Sequence, residues 1–475
     1  MNVKALGSRV SHGKRGCGQR QWSTSRHRWL HSSLALIAIG LGSLATPALA
    51  QMGGFGFGGQ AVGGISVDAR GIVQDLDPQA REALAVARRQ ALGEMAAGSQ
   101  SALRKVSLAR LIAAVEQFAA GQQPLPPEAL LLGGLERITH VFVDPDGHDI
   151  ILAGPADAAV VDAQGNLVGA ASGKPLLQLE DFLVALRAIE GARAGGMRCS
   201  IDPSPEGVAR LQQFLKNQKT IGSDPEATLR SMEEVMGPQM VTVGGVPTNS
   251  RFARVLVAAD YRLKRIGMGL EPSGVKGIPS YLELVPPGTA SAATLPRFWL
   301  EASYDPIARD PDELAWQLSG RRMKCLTETD LFGKDGAKRG AGPTDKLAAS
   351  WCAKMTDHYD ELAAEQPVFA ELANCVDLAV VAALIHGRQL DQRAGLDLSP
   401  LLDATRVSLP AYEAPSTIPT VASAIKKGSR WVVSASGGVQ FQPWEFVAST
   451  GESADVAAAR VEALAARPTD GWCWD

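Results

Sequence analysis

From residue 65 onward the apolar positions of the chain follow two different periods. Short runs of Ile, Val and Leu are interrupted three times by one device: Val67-Asp68-x-x-Gly71, Val143-Asp144-x-x-Gly147 and Val161-Asp162-x-x-Gly165. Asp opens a turn by accepting nearby backbone amides, and Gly supplies the left-handed residue that closes it. The pattern therefore predicts three β-hairpins with Gly71, Gly147 and Gly165 at positive φ. Between and after them, helical spacing runs over 78–92, 107–119 and 179–190, with Asp77-Pro78 and Ser107 opening the first two segments.

A second set of elements starts with a strand at Met197–Ile201 and helices near 205–217 and 225–236. A strand at Met240–Val243 then leads through the loop Gly244–Asn249 into a helix that opens at Ser250. On that helix Phe252, Val255, Leu256, Ala259, Leu263 and Ile266 share a face suited to a core, while Arg251, Arg254, Arg262 and Arg265 fall along another. The proline-rich stretch 285–296 lacks periodicity and reads as a linker or long loop. Beyond it come strands in RFWLEASYD and WQLSGRRMKCLT, a polar insert at 333–344 read as an exposed loop, and an αα-hairpin of helices 345–365 and 368–386 around Pro367. RWVVSASGGVQFQPWEF reads as a strand pair, and 453–466 as a last helix. The sum is an α+β fold, with β-hairpins and short mixed sheets packed with amphipathic helices, in two domains spanning 65–285 and 297–466.

The first 50 residues change where this fold is expected to work. Seven Lys and Arg without an acid precede the apolar run Leu34–Leu44, which ends in Ala48-Leu49-Ala50. That is the layout of a cleavable signal peptide, and the run falls short of the roughly 20 residues that span a bilayer. Cleavage before Gln51 would export the chain to the periplasm or beyond, with no transmembrane anchor left. Cys17 precedes the apolar run, which argues against a lipid anchor. Loss of the leader leaves 40 basic against 50 acidic residues, a net charge near −10. Such a balance argues against nucleic acid as a partner. The stretch 51–64 contains a formal G-x-G-x-x-G at Gly54, Gly56 and Gly59, but it lies in a glycine-rich tail and not between strand and helix, so it reads as a flexible linker.

Five cysteines follow the leader: Cys199, Cys325, Cys352, Cys375 and Cys473. No C-x-x-C pair suggests zinc or redox chemistry. Cys352 and Cys375 lie in successive helical segments, where they could face each other in an oxidising compartment; buried free thiols are the alternative. Asp357, His358 and Glu361 share a helical face, most simply a solvated one, and His140 and His148 flank a predicted hairpin. Neither set makes a metal site, and no cofactor is expected. S-x-x-K occurs at Ser273–Lys276 and Ser423–Lys426 without an accompanying K-T-G, so serine acyl chemistry has no support.

VFVDPDGHDIILAGPA, CSIDPSPEGVARLQQF, VTVGGVPTNSRFARVLVAADYRLKRIGMGLEPS and KKGSRWVVSASGGVQ make the chain similar to an uncharacterised family of exported planctomycete proteins, a domain-of-unknown-function family. The resemblance covers most of 65–440 and implies kinship, planctomycete origin and export, with no activity or catalytic residues attached. The residues themselves favour a non-catalytic binding or interaction module of the cell envelope, its partner a protein, an envelope polymer or an anionic ligand. The alternative is an extracytoplasmic hydrolase whose carboxylates come from distant positions. The candidate anion contact is the first turn of the helix after Ser250, where free amides would point outward beside Arg251 and Arg254. No catalytic residue is assigned.

Overall fold

Two sheets organise the chain, and each draws its strands from early and late sequence. The computed structural model describes residues 61–93, 100–121, 125–217, 225–286, 297–327, 346–424, 431–432 and 436–475. The expected signal peptide, most of the glycine-rich linker and the polar insert 333–344 lie outside these residues.

The first sheet runs, edge to edge, through Arg322–Thr327, Arg297–Ser303, Ser436–Phe441, Met197–Pro203, Gln239–Gly244 and Thr417–Ile418. Its pairings are antiparallel except that of Arg297–Ser303 with Ser436–Phe441. Alternation sorts its faces: Phe298, Leu300, Met197, Cys199, Ile201, Val439 and Phe441 are buried in the main core, where helix Arg251–Gly267 packs on the sheet. The second sheet runs through Thr450–Glu452, Ile307–Arg309, Ala315–Gln317, His140–Asp144, Asp149–Ala156, Ser101–Ser107 and Cys473–Trp474. Val141, Val143, Ile150 and Leu152 join the main core, while Phe142, Ile151 and Ala315, which pair in register, form a smaller core under helix Ala454–Ala465. The fold is α+β, as expected. Stretches 65–285 and 297–466 contribute neighbouring strands to both sheets, and residues 287–296 of the proline-rich stretch between them lie outside the described residues.

Three helices fill the space beside the first sheet: Leu179–Ala188, Arg251–Gly267 and Pro367–Gly387. The last is apolar nearly all round and long enough to cross a membrane by composition, yet 94% of its apolar window is buried inside the fold. A helix without a polar face belongs in a core. Helix starts follow local chemistry: Asp77 accepts the Ala80 amide, Ser107 the Arg110 amide and Ser250 the Ala253 amide.

All three V-D-x-x-G segments are hairpin turns. Asp68 accepts the amides of Arg70 and Ile72, Asp162 those of Gln164 and Asn166, and Asp144 that of Gly147. Gly71 and Gly165 have φ of 79° and 87°, but Gly147 is not left-handed; His148 is, at 50°. The ladder of this copy runs one pair further, to Asp144 opposite Asp149, so the turn bond starts at Pro145 and its left-handed position falls on His148. Two other expectations need correction. The helix expected over 345–365 breaks at His358 into Lys346–Asp357 and Tyr359–Glu365. The strand pair expected near 431–446 is not one: Trp431–Val432 pairs with Ser423–Ala424, while Ser436–Phe441 becomes an inner strand of the first sheet.

Candidate functional site

Arg251 is the first residue of its helix, where the exposed amide dipoles disfavour a cation. Acids from two other helices hold it there. Its guanidinium hydrogen-bonds Asp181, places Nη2 2.6 Å from Glu371 Oε1, and keeps Nε 3.7 Å from Glu180 Oε1. Tyr412 donates its hydroxyl to Glu180 at 3.1 Å. All of these side chains are buried, with Arg251 and Asp181 at 4% and 3% exposure. The Arg251 guanidinium faces three carboxylates in a poorly solvated space, with the buried Arg88 close enough to act on Glu180 and Glu371. Burial pushes the Glu180 carboxyl up to about 7, aided by neighbouring Asp181 and opposed by Arg251. Asp181 is raised to about 6 for the same leading reason. For both acids desolvation outweighs what the neighbouring cations, Arg251 and for Glu180 also Arg88, return.

The expected anion contact meets a different geometry. Ser250 is buried; its Oγ accepts the Ala253 amide and donates to Pro247 O at 2.7 Å. Arg251 is turned inward onto acids of its own chain. Arg254 has no exposed surface, donates to Glu413 O at 2.9 Å and lies 5.2 Å from the centre of the Tyr412 ring, and burial brings it down to about 10. Further along, Arg262 and Arg265 share Glu271, at 2.7 and 2.8 Å. What the sequence presents as a basic stripe is thus a row of internal ties. The acids that complete it, Glu180, Asp181 and Glu371, were missed because they come from 70 and 120 positions away. A signal existed: an arginine in a first turn with no acid beside it, and an acid pair inside the apolar stretch LEDFLVAL.

Other sequence candidates are also internally occupied, while Lys426 of the second S-x-x-K lies outside the described residues. Ser273 is buried, with its hydroxyl bonded to the carbonyls of Val275 and Ile278, which is no setting for a nucleophile. His358 Nδ1 lies 3.1 Å from Glu361, while Asp357 pairs with Arg321. His140 pairs in register with Ala153, whereas His148 sits at the hairpin tip against Ala394 O, so the hairpin does not bring the two together. Among the described residues no group of three or more His, Cys, Asp or Glu is disposed to hold a metal ion. Cys352 contacts Cys325, not Cys375; Cys375 neighbours Asp181 and Arg251.

Among the described residues a shallow surface groove lies between helix Arg251–Gly267 and the sheet edge at Thr417–Ile418. Its inner surface is mostly carbon, from Ile201, Met268, Leu270, Ile418, Pro419 and Val421. Tyr261, Lys264 and Arg265 contribute from the helix, and Gln239 from the neighbouring strand. Lys264 is drawn away from solvent, with Nζ 2.8 Å from Asp260 Oδ2 and 3.2 Å from Gly437 O. Burial raises Asp260 to about 7 against the opposing pull of Lys264.

No curated protein and no solved structure matches the chain. Residues 199–281, which carry Arg251, the Asp260–Lys264 pair and the helix side of the groove, match the family model described as "Protein of unknown function (DUF1598)", and this part of the chain is accordingly a domain of unknown function.

Proposed function

We propose that this is an exported, non-catalytic binding protein of the cell envelope. Its groove receives an apolar side chain from an extended segment of a partner protein. One observation carries the reading: the acids whose titrations burial raises, Asp149, Glu180, Asp181 and Asp260, are buried and paired with cations of the chain, while the surface groove is lined mainly by carbon. Catalytic acids and bases need to reach a substrate proton, and Glu180, Asp181 and Asp260 are 5% exposed or less. A partner protein is favoured over an anion because the nearby arginines already have acid partners, and Val421 adds an exposed apolar rim. A hydrolase remains the second reading, favoured only by the raised Glu180–Asp181 pair.

The test is calorimetric titration of the chain with a panel of short peptides that carry Leu, Phe, Asp or Lys at a central position. Binding is expected for the apolar members, with a negative heat-capacity change and at least a tenfold loss in Val421→Glu at unchanged thermal midpoint. Turnover of an ester, amide or glycoside that disappears in folded Glu180→Gln would replace this reading with the hydrolase.

A further inference from the structure

The edge strand Arg322–Thr327 and the helix Lys346–Asp357 bring two thiols together. Cys325 Sγ and Cys352 Sγ are 3.5 Å apart although the residues are 27 positions apart in sequence. Each is 3% exposed. Their backbones are tied to one side chain: Thr356 Oγ1 accepts the Cys325 amide at 2.9 Å and donates to Cys352 O at 2.9 Å. The residue before Cys352 anchors the same helix independently. Trp351 donates to Pro279 O at 2.9 Å, and its ring lies 4.3 Å from that of Phe298 on the adjacent strand. The two sulfurs are therefore held in contact by the packing of strand against helix.

We propose that Cys325 and Cys352 are the site of a disulfide bond. A disulfide needs its sulfurs about 2.05 Å apart, so closure asks for an approach of roughly 1.5 Å. The oxidant is a molecule or protein bearing a reactive disulfide. One cysteine thiolate attacks a sulfur of that oxidant and expels the other as thiolate, leaving a mixed disulfide. The second cysteine, deprotonated, attacks the protein sulfur of the mixed disulfide and expels the remaining thiolate. Two protein thiols are oxidised, one disulfide of the oxidant is reduced to two thiols, and no other reactant is used. Cys199 and Cys375 have different surroundings. Burial raises both thiols well above the usual range; Cys199 neighbours Asp260 and Lys264, and Cys375 neighbours Asp181 and Arg251. This inference does not depend on the groove.

The full chain is equilibrated in glutathione buffers of increasing oxidised fraction, with a little urea to speed local opening. It is then quenched in acid, alkylated, digested and mapped by mass spectrometry. The expected result is one joined peptide linking Cys325 to Cys352, with a thermal midpoint a few degrees above that of the reduced chain. That difference should vanish in Cys325→Ala and in Cys352→Ala. Both cysteines recovered as alkylated thiols at the most oxidising ratio would overturn the proposal. So would separate glutathione adducts or a link from Cys352 to Cys375. The mapping of the unmodified sequence decides the matter even where a variant folds poorly.

Discussion

Arg251 and Glu371, 120 positions apart, meet at 2.6 Å inside the fold, and the contact joins the start of one core helix to the first turns of another. Asp181 and Glu180 close the other sides of the same guanidinium. Removing the cation leaves Asp181 without its charged partner and Glu180 and Glu371 with only the more distant Arg88, whereas removing one acid leaves the cation with two partners. Arg251→Met is therefore expected to lose about 3–5 kcal/mol of unfolding free energy, and Glu371→Gln distinctly less. Urea unfolding of the two variants checks the ordering. An Arg251→Met protein within about 1 kcal/mol of the wild type would mean that the knot contributes little.

The same knot sets a pH dependence of unusual sign. Glu180 and Asp181 are raised to about 7 and about 6, and Asp260 to about 7, from ordinary values of 4.5 and 3.8. Between those limits these three carboxyls bind more protons in the folded chain than in the unfolded one, so their contribution to stability falls as pH rises, outnumbering the opposite contribution of His140, whose imidazole burial pushes down. Their contribution is fully present below about pH 4 and lost by about pH 7, at up to about 1.4 kcal/mol per pH unit for each group at its steepest. Unfolding midpoints measured from pH 5 to 8 should decline, with a shallower decline in Glu180→Gln and in Asp260→Asn. A rise over that range, indifferent to both substitutions, would contradict the burial argument.

Glycines of the hairpins and of the inner strand should fail for different reasons when a methyl group is added. At Gly165, with φ of 87°, alanine costs about 1 kcal/mol or more through the backbone. At Gly147 the added carbon would meet Asp144 Oδ2 at 2.2 Å and Arg467 Nη1 at 2.4 Å, so the loss comes from a disturbed ion pair. Gly147→Ala should then cost less in an Arg467→Ala background, and a double-mutant cycle reads that coupling. Gly438 faces Cys199 O at 1.9 Å from its would-be Cβ, backbone that cannot step aside inside a sheet. Gly438→Ala is expected to be the worst of the three, at about 3 kcal/mol or beyond. Equal stabilities for Gly438→Ala and wild type would reject the close approach.

Local chemistry carried the sequence reading a long way. Helices opened by Asp77, Ser107 and Ser250 begin where their capping side chains place them, and the turns at Asp68 and Asp162 close on left-handed glycines. These features depend on residues within a few positions of one another. What stayed hidden was long-range: Arg251 reads as a solvent-facing cation until Asp181 and Glu371 arrive from other helices, and Ser436–Phe441 reads as half of a hairpin until Arg297–Ser303 and Met197–Pro203 flank it. Even the Gly147 turn was misjudged by a single extra ladder pair, Asp144 with Asp149. The groove could not be foreseen, since Ile201, Leu270 and Val421 meet only through tertiary packing.

The interleaving of early and late strands also has a consequence for how the molecule is made. Met197–Pro203 waits for Ser436–Phe441 as a neighbour, and Ser101–Ser107 waits for Cys473–Trp474. While a ribosome is still adding those residues, the growing chain exposes unpaired strand edges and half-covered cores, a state prone to collapse and association. Such a topology folds slowly, because its contacts close long loops.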